Sequence, residues 1–224
     1  MKHIRIHKEG RIILLILLFV LFAFNLLVSM RYINRLFFIV NTVISGLIFA
    51  FVAYFFRNPT RIVEIDDESL LVAPADGTIV AVEPVEEHEF FGGDKMLQVS
   101  IFMSIFNVHA NWYPISGKVL SAIHHSGSHH GAYFPKSSVE NERASVLIET
   151  KKGTRLLVRQ IAGAIARRIV TYAKAGKECN INEHLGFIKF GSRVDMFFPP
   201  DTEIFVTIGD KTVGNETIIA RLNE

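Results

Sequence analysis

Gly186-Phe187-Ile188-Lys189-Phe190-Gly191-Ser192-Arg193-Val194-Asp195 is a strand-like apolar run near the C-terminus with a Gly-Ser peptide bond inside it. The segments around it repeat the pattern. Upstream lie Leu71-Val72-Ala73, Thr78-Ile79-Val80-Ala81-Val82, Met96-Leu97-Gln98-Val99-Ser100-Ile101-Phe102, Ser145-Val146-Leu147-Ile148-Glu149-Thr150 and Arg155-Leu156-Leu157-Val158; downstream lie Glu203-Ile204-Phe205-Val206-Thr207-Ile208 and Thr217-Ile218-Ile219-Ala220. All are short apolar or alternating runs, the pattern of half-buried or buried strands. Asp76-Gly77, Gly92-Gly93-Asp94, Lys152-Gly153 and Gly209-Asp210-Lys211 punctuate them as turns. The pattern predicts a mainly β, sandwich-like or barrel-sandwich-like α+β domain. One helical piece is expected over residues 161–172, where small residues accompany Arg167 and Arg168.

The N-terminal quarter reads differently. Half of the 224 residues are hydrophobic, and a mean hydropathy of +0.31 places part of that apolar surplus in lipid. Residues 12–30 have only Asn25 and Ser29 as polar interruptions, and a helix of that length spans roughly 28 Å, about one hydrocarbon core. Residues 36–56 are equally uncharged. The connection Arg31-Tyr32-Ile33-Asn34-Arg35 leaves room only for a tight turn, so the two segments form an antiparallel hairpin with both ends on one side. Lys2, Arg5, Lys8 and Arg11 before the hairpin and Arg57 and Arg61 after it outnumber Arg31 and Arg35 in the turn. That asymmetry favours both ends on the cytoplasmic side of a cell (inner) membrane, while the two arginines in the turn also fit a hairpin that dips without fully crossing. Residues 1–61 are then an anchor, and residues 62–224 a domain on the cytoplasmic face. The second apolar segment, and the lack of a small-x-small cleavage site, argue against a removable signal peptide.

A formal net charge of +2 argues against a nucleic-acid partner, which calls for a marked basic excess. The single cysteine, Cys179, excludes an intramolecular disulfide and fits a reducing compartment. It has no flanking imidazole or basic partner and reads as structural.

Chemistry gathers in three places. Pro74-Ala75-Asp76-Gly77-Thr78 supplies Asp76, Phe106-Asn107-Val108-His109-Ala110-Asn111 supplies His109, and the opening run supplies Ser192 after Gly191. Singly, an Asp before Gly is an ordinary turn residue and a His between Val and Ala an ordinary packed one. Together they can act on one peptide bond. Attack of the Ser192 Oγ on the Gly191 carbonyl carbon converts the amide to an ester by an N to O acyl shift, which needs an unhindered carbonyl and a base. Glycine meets the first need. His109 meets the second near neutral pH, with Asp76 holding its other ring nitrogen and stabilising the imidazolium. β-Elimination from the ester releases a carboxylate at Gly191 and leaves dehydroalanine at 192, which hydrolyses to a pyruvoyl group and ammonia.

This set resembles the phosphatidylserine decarboxylase family, in particular its short, membrane-anchored form, in register from about Phe56 to the C-terminus. The resemblance assigns the same roles to Asp76, His109 and Ser192, with cleavage between Gly191 and Ser192 into a large chain of residues 1–191 and a small chain of residues 192–224. It implies a pyruvoyl cofactor made from Ser192, and phosphatidylserine in the membrane as substrate. The substrate amine condenses with the pyruvoyl carbonyl, which takes up the charge left by departing carbon dioxide as pyridoxal phosphate does, and phosphatidylethanolamine is released. A membrane hairpin suits a diacyl substrate that does not leave the bilayer readily. The chain departs from longer members at Phe106, where they carry a second histidine thought to assist protonation, so the proton donor in turnover is unassigned. A homo-oligomer is compatible with the resemblance.

The anionic headgroup calls for cations, and Arg143, Arg159, Arg167 and Arg168 are the candidates. His124-His125 and His129-His130 flank Ser126-Gly127-Ser128 and have no Cys or carboxylate at ligand spacing, so the tract reads as a loop near the site, one histidine of which touches substrate, and not as a metal centre. Two rival functions stand beside the decarboxylase. One is a membrane-tethered serine hydrolase using Asp76, His109 and Ser192, although no Gly-x-Ser-x-Gly elbow is present. The other is a tethered β-rich adaptor or carrier, although no lysine sits at a hairpin tip between small residues.

Overall fold

Two long helices open the chain because nothing in their sequence interrupts them. The computed structural model describes residues 4–31, 34–127, 141–163, 168–189 and 192–223. It divides into two compact units, Met1–Thr60 and Arg61–Glu224.

In the first unit a short strand β1 (Ile4–Ile6) precedes helix α1 (Lys8–Arg31), and helix α2 (Arg35–Phe55) leads into strand β2 (Arg57–Pro59). The Asn34 side chain caps α2 by accepting from the N–H groups of Leu36 at 3.0 Å and Phe37 at 3.3 Å. Both helices are long and apolar enough to cross a membrane, and residues such as Phe19 and Phe22 present their side chains outward. Their shared seam is polar. Asn25 Nδ2 donates to Ser45 Oγ at 2.9 Å, while Asn25 Oδ1 accepts from Asn41 Nδ2 at 2.9 Å and Thr42 Oγ1 at 3.0 Å. Interhelical amide and hydroxyl pairs of this kind hold helices together where the surroundings offer no hydrophobic drive. At the open end β1 and β2 pair antiparallel, Ile4 opposite Pro59 and Ile6 opposite Arg57, so both ends of the hairpin lie together as its short turn requires. Gly10 is fixed by a close approach, since a Cβ there would stand 2.3 Å from the Phe56 ring.

The second unit is built of strands. They are β3 (Leu70–Val72), β4 (Gly77–Glu87), β5 (Asp94–Met103), β6 (Ala110–Trp112), β7 (Gly117–His125), β8 (Arg143–Glu149), β9 (Arg155–Ala162), β10 (Arg168–Thr171), β11 (Glu178–Cys179), β12 (His184–Lys189), β13 (Ser192–Phe198), β14 (Glu203–Ile204), β15 (Lys211–Thr212) and β16 (Ile218–Arg221). An eight-stranded sheet runs β11-β7-β8-β9-β13-β5-β4-β15, and two three-stranded sheets run β10-β12-β6 and β14-β16-β3. Every recorded pairing is antiparallel.

Alternation along the central strands separates two faces. Val99, Ile101 and Met103 of β5, Val194, Met196 and Phe198 of β13, and Leu156 and Val158 of β9 enter the main core with Leu185 and Ile188 of β12. Each such burial stabilises by roughly 1.5–3 kcal/mol. The opposite face carries Ser145, Arg159, Arg193, Asp195 and Phe197, all nearly excluded from solvent.

The helix expected over residues 161–172 is not formed in its described part. Ile161 and Ala162 end β9, and Arg168–Thr171 is β10; residues 164–167 lie outside the described set. A strand buried on both faces reads as a continuous apolar run and cannot be told from a buried helix by periodicity. Here two ladders decide, since Ile161 pairs with Arg143 of β8 on one side and Arg193 of β13 on the other. Arg61, assigned with the anchor on sequence grounds, belongs to the second unit.

Candidate active site

Ser192 is the first residue of β13, a strand hydrogen-bonded on both edges: Ser192 lies opposite Met103 of β5 and Ala162 of β9. Its side chain shares the core face with Val194 and Met196, is 0% exposed, and donates from Oγ to Met103 Sδ at 3.3 Å. Phe190 and Gly191 lie outside the described residues. Strand β12, which ends at Lys189, and β13, which begins at Ser192, belong to different sheets.

His109 sits between β5 and β6, just after a tight turn. Asn107 builds that turn: its Oδ1 accepts from the Ser104 N–H at 2.9 Å and the Ser104 hydroxyl at 2.7 Å, an arrangement short amide side chains favour. Phe106 is left outward at 62% exposure while His109 goes inward to 0%. The His109 Nδ1 is 3.0 Å from the Asn107 carbonyl oxygen. A carbonyl only accepts, so Nδ1 carries the proton and the neutral ring presents its lone pair at Nε2. That is the tautomer a general base needs. The His109 carbonyl accepts from the Ile188 N–H at 3.2 Å, and its ring lies 6.4 Å from that of Phe187. The histidine is thereby stitched to β12, the strand that runs toward Ser192.

Asp76 is engaged elsewhere. Its carboxylate forms a two-point ion pair with Arg61, through Nη1 to Oδ1 and through Nη2 to Oδ2 at 3.0 Å, and accepts from the Gly214 N–H at 2.8 Å. Arg61 also donates to the Gly214 carbonyl at 2.9 Å and lies 5.1 Å over the Trp112 ring. The side chains of Arg61 and Asp76 are only 7% and 13% exposed. Among the described residues the hydrogen bonds of Asp76 run to Arg61 and Gly214, and the ring nitrogen assigned to it in the sequence reading faces a backbone carbonyl instead. The turn nonetheless adjoins the histidine segment, because Pro74 O accepts from the Trp112 N–H at 2.9 Å. Gly77 has no room for a side chain, as a Cβ would stand 2.3 Å from Phe102 O.

The candidate substrate arginines divide. Arg159 donates to Glu87 and Glu89, each at 2.7 Å, and to Ser145 Oγ at 3.2 Å. It lies on the sheet face opposite the Ser192 hydroxyl, beside a cavity of about 710 Å³ that Arg143 also lines. Arg143 approaches Glu89 at 3.8 Å. Burial pushes the Glu89 carboxyl up, but the charge of Arg159 and the hydrogen bonds from His125 and Ser145 outweigh it and hold the pKa below the usual value. Arg168 is exposed and opens β10 opposite Lys189, the last residue of β12. Arg167 lies outside the described residues.

Of the histidine tract, His125 pairs with Glu89 at 2.6 Å and His124 approaches Glu142 at 3.3 Å, while His129 and His130 lie outside the described residues. Among the described residues no three metal-ligating side chains converge. Cys179 is buried, and burial above all pushes its thiol up to about 12, which makes it an inert group.

Four residues escaped the sequence reading. Arg61 was visible only as one of several basic residues flanking the hairpin. Asn107 and Asn111 bracket His109 within the quoted motif, and Gln160 is a lone amide in an apolar strand; each was a signal in retrospect.

Comparison with known proteins places the sequence beside one family. The family model described as phosphatidylserine decarboxylase matches residues 48–220. A phosphatidylserine decarboxylase proenzyme of Phocaeicola vulgatus is 51% identical over 222 residues, covering 99% of this chain and 97% of the relative. The proenzyme of Bacteroides thetaiotaomicron is 50% identical over the same shares, and that of Porphyromonas gingivalis 56% identical over 171 residues, 76% of this chain and 77% of the relative.

Proposed function

The chain belongs to the phosphatidylserine decarboxylase family, and from that premise we propose that it cuts itself between Gly191 and Ser192 and then converts phosphatidylserine to phosphatidylethanolamine. The observation that carries the reading is the fully buried Ser192 hydroxyl at the head of a central strand, with His109 tied through Ile188 to the strand leading into it. In self-cleavage the Ser192 Oγ bonds to the Gly191 carbonyl carbon as His109 Nε2 takes the hydroxyl proton. The C–N bond then breaks, giving an ester. Removal of the Ser192 α-proton expels the Gly191 carboxylate, and hydrolysis of the resulting enamine releases ammonia and leaves a pyruvoyl group at 192.

That group would supply an electron sink, a ketone able to hold the substrate amine and take up the electron pair freed when carbon dioxide leaves. The residues present fit it. The group would arise from Ser192 itself, buried beside the thioether of Met103, a side chain of the main apolar core. Asp76 serves as a positioning group: with Arg61 it fixes the turn that adjoins Trp112 and the His109 segment. Among the described candidates, Arg168, exposed and opposite Lys189 at the end of β12, is the arginine best placed for an anionic headgroup. Arg159 is committed to its two carboxylates.

The small chain would stay in place after cleavage. It contains β13, paired on both edges, β15, paired to β4, and β16, paired to β3. The charge pattern around the hairpin supports a domain on the cytoplasmic face of the cell membrane. A hydrolase is disfavoured by a serine with no exposed surface in the middle of a sheet.

The test uses the full chain in membranes. Ser192→Ala leaves one uncut, inactive polypeptide and His109→Ala blocks or greatly slows cutting, while the unaltered protein converts serine headgroups to ethanolamine. Normal cutting in His109→Ala removes the base assignment, and decarboxylation by Ser192→Ala removes the whole reading.

A further inference from the structure

Four side chains wholly excluded from solvent form a line ending at the reactive hydroxyl: Gln160, Asn111, Met103 and Ser192. Gln160 Nε2 donates to Asn111 Oδ1 at 2.7 Å. Asn111 Nδ2 donates to Met103 Sδ at 3.6 Å, and the same sulfur accepts from Ser192 Oγ at 3.3 Å. Direction is fixed along the line. Because Gln160 offers its N–H₂ to the Asn111 oxygen, Asn111 must turn its own N–H₂ toward the sulfur. A methionine side chain is otherwise the most adaptable in a core, and two donors on one sulfur hold it still.

We propose that Gln160, Asn111 and Met103 are positioning residues for self-cleavage, a relay that keeps the Ser192 hydroxyl in one rotamer with its proton resting on a weak acceptor. A thioether releases that proton readily to a stronger base, and the Oγ lone pairs stay available for attack. The relay rests on the self-cleavage reading given above and names what prepares the nucleophile.

Two observations separate this from ordinary core packing. Gln160 Oε1 is buried and makes no hydrogen bond among the described residues, a standing cost that an apolar residue at 160 would not carry. The amide also packs tightly on the facing strand, where a Cβ on Gly186 would stand 2.3 Å from Val170 O, 2.7 Å from Gln160 Nε2 and 3.0 Å from Gln160 Oε1. Held against that glycine, the amide has its one donated bond running to Asn111, toward the serine.

The experiment follows cutting of newly made full-length protein over time, by gel and by intact mass. Met103→Leu keeps volume and removes the acceptor lone pairs; it slows cutting about fivefold, the weight of one neutral hydrogen bond. Gln160→Leu slows it similarly. Because Gln160 acts through the sulfur, adding Gln160→Leu to Met103→Leu brings no further slowing. Asn111→Asp gives a readout that packing would not move. A protonated carboxyl still donates to the sulfur while an ionised one does not, so cutting by Asn111→Asp falls relative to wild type as pH rises through that carboxyl's pKa. Melting temperatures compared in the uncut Ser192→Ala background show whether each variant folds, and Met103→Leu keeps the test in force should Gln160→Leu not fold. Cutting by Met103→Leu at the wild-type rate, or multiplied slowing in the double variant, overturns the relay alone. A wild-type chain that never cuts overturns the reading beneath it.

Discussion

Replacing Arg159 by methionine asks whether that arginine serves the fold or the substrate. The change keeps an apolar stem against Phe197, whose ring lies 4.9 Å from the guanidinium carbon, and deletes the cation between Glu87 and Glu89. The side chains of Arg159 and Glu87 are 7% and 3% exposed, so the loss falls in the buried class, where removing one partner costs about 3–5 kcal/mol. For a domain of this size that is roughly 6–20 °C in melting temperature. The pH dependence has a definite sign. Glu89 is held below its ordinary pKa in the folded protein, so its stabilising contribution is present above the unfolded carboxyl pKa and is lost as pH falls through the folded value. Without Arg159, burial dominates and the Glu89 pKa rises, so the deficit of the variant narrows on acidification toward the carboxylate range. Thermal unfolding of the detergent-solubilised, uncut Ser192→Ala protein, with and without Arg159→Met, measures both effects. An unchanged melting temperature together with a raised KM for phosphatidylserine in the cleavable protein would refute the reasoning and return Arg159 to the substrate.

Arg61→Met strips the buried Asp76 carboxylate of its cation and is expected to destabilise by about 3–5 kcal/mol; pairing it with Asp76→Asn recovers much of that loss, as thermal unfolding would record. No loss in the single variant would dismiss the ion pair as a structural element. Gly186→Ala drives a methyl group into Val170 O and the Gln160 amide, lowering the melting temperature and slowing self-cleavage in a gel time course; wild-type behaviour on both counts contradicts the close approach. The Cys179 thiol, raised to about 12 chiefly by burial, should label with thiol reagents at mildly alkaline pH only as the protein unfolds, and rapid labelling of the folded state would contradict its burial.

Much of this molecule was legible as pattern. The two uncharged stretches separated by a short connection could only pair as a hairpin, and the alternating runs between Asp-Gly and Gly-Gly turns gave the strands. The stretch at 161–172 misled because its described parts belong to two strands of different sheets, Ile161 and Ala162 closing β9 and Arg168–Thr171 forming the edge strand β10, and each part is too short to show a period of its own. Asp76 and His109 were found because short motifs surround them, but their hydrogen-bond partners were not. Arg61 lies 15 positions from Asp76 and Gly214 lies 138 away, distances over which spacing conveys nothing. The carbonyl that faces His109 belongs to the backbone, which the letters do not display. Gln160 and Asn111 meet across 49 positions, and only the packing of the small sheet on the large one makes neighbours of them.

Intact mass of the denatured wild-type protein bears most directly on self-processing. Two chains are predicted, one ending at Gly191 and one running from position 192 to Glu224, the latter lighter by one ammonia than a chain beginning with serine and reactive toward carbonyl reagents. A single chain of 224 residues with an intact Ser192, in protein that decarboxylates phosphatidylserine, would contradict it.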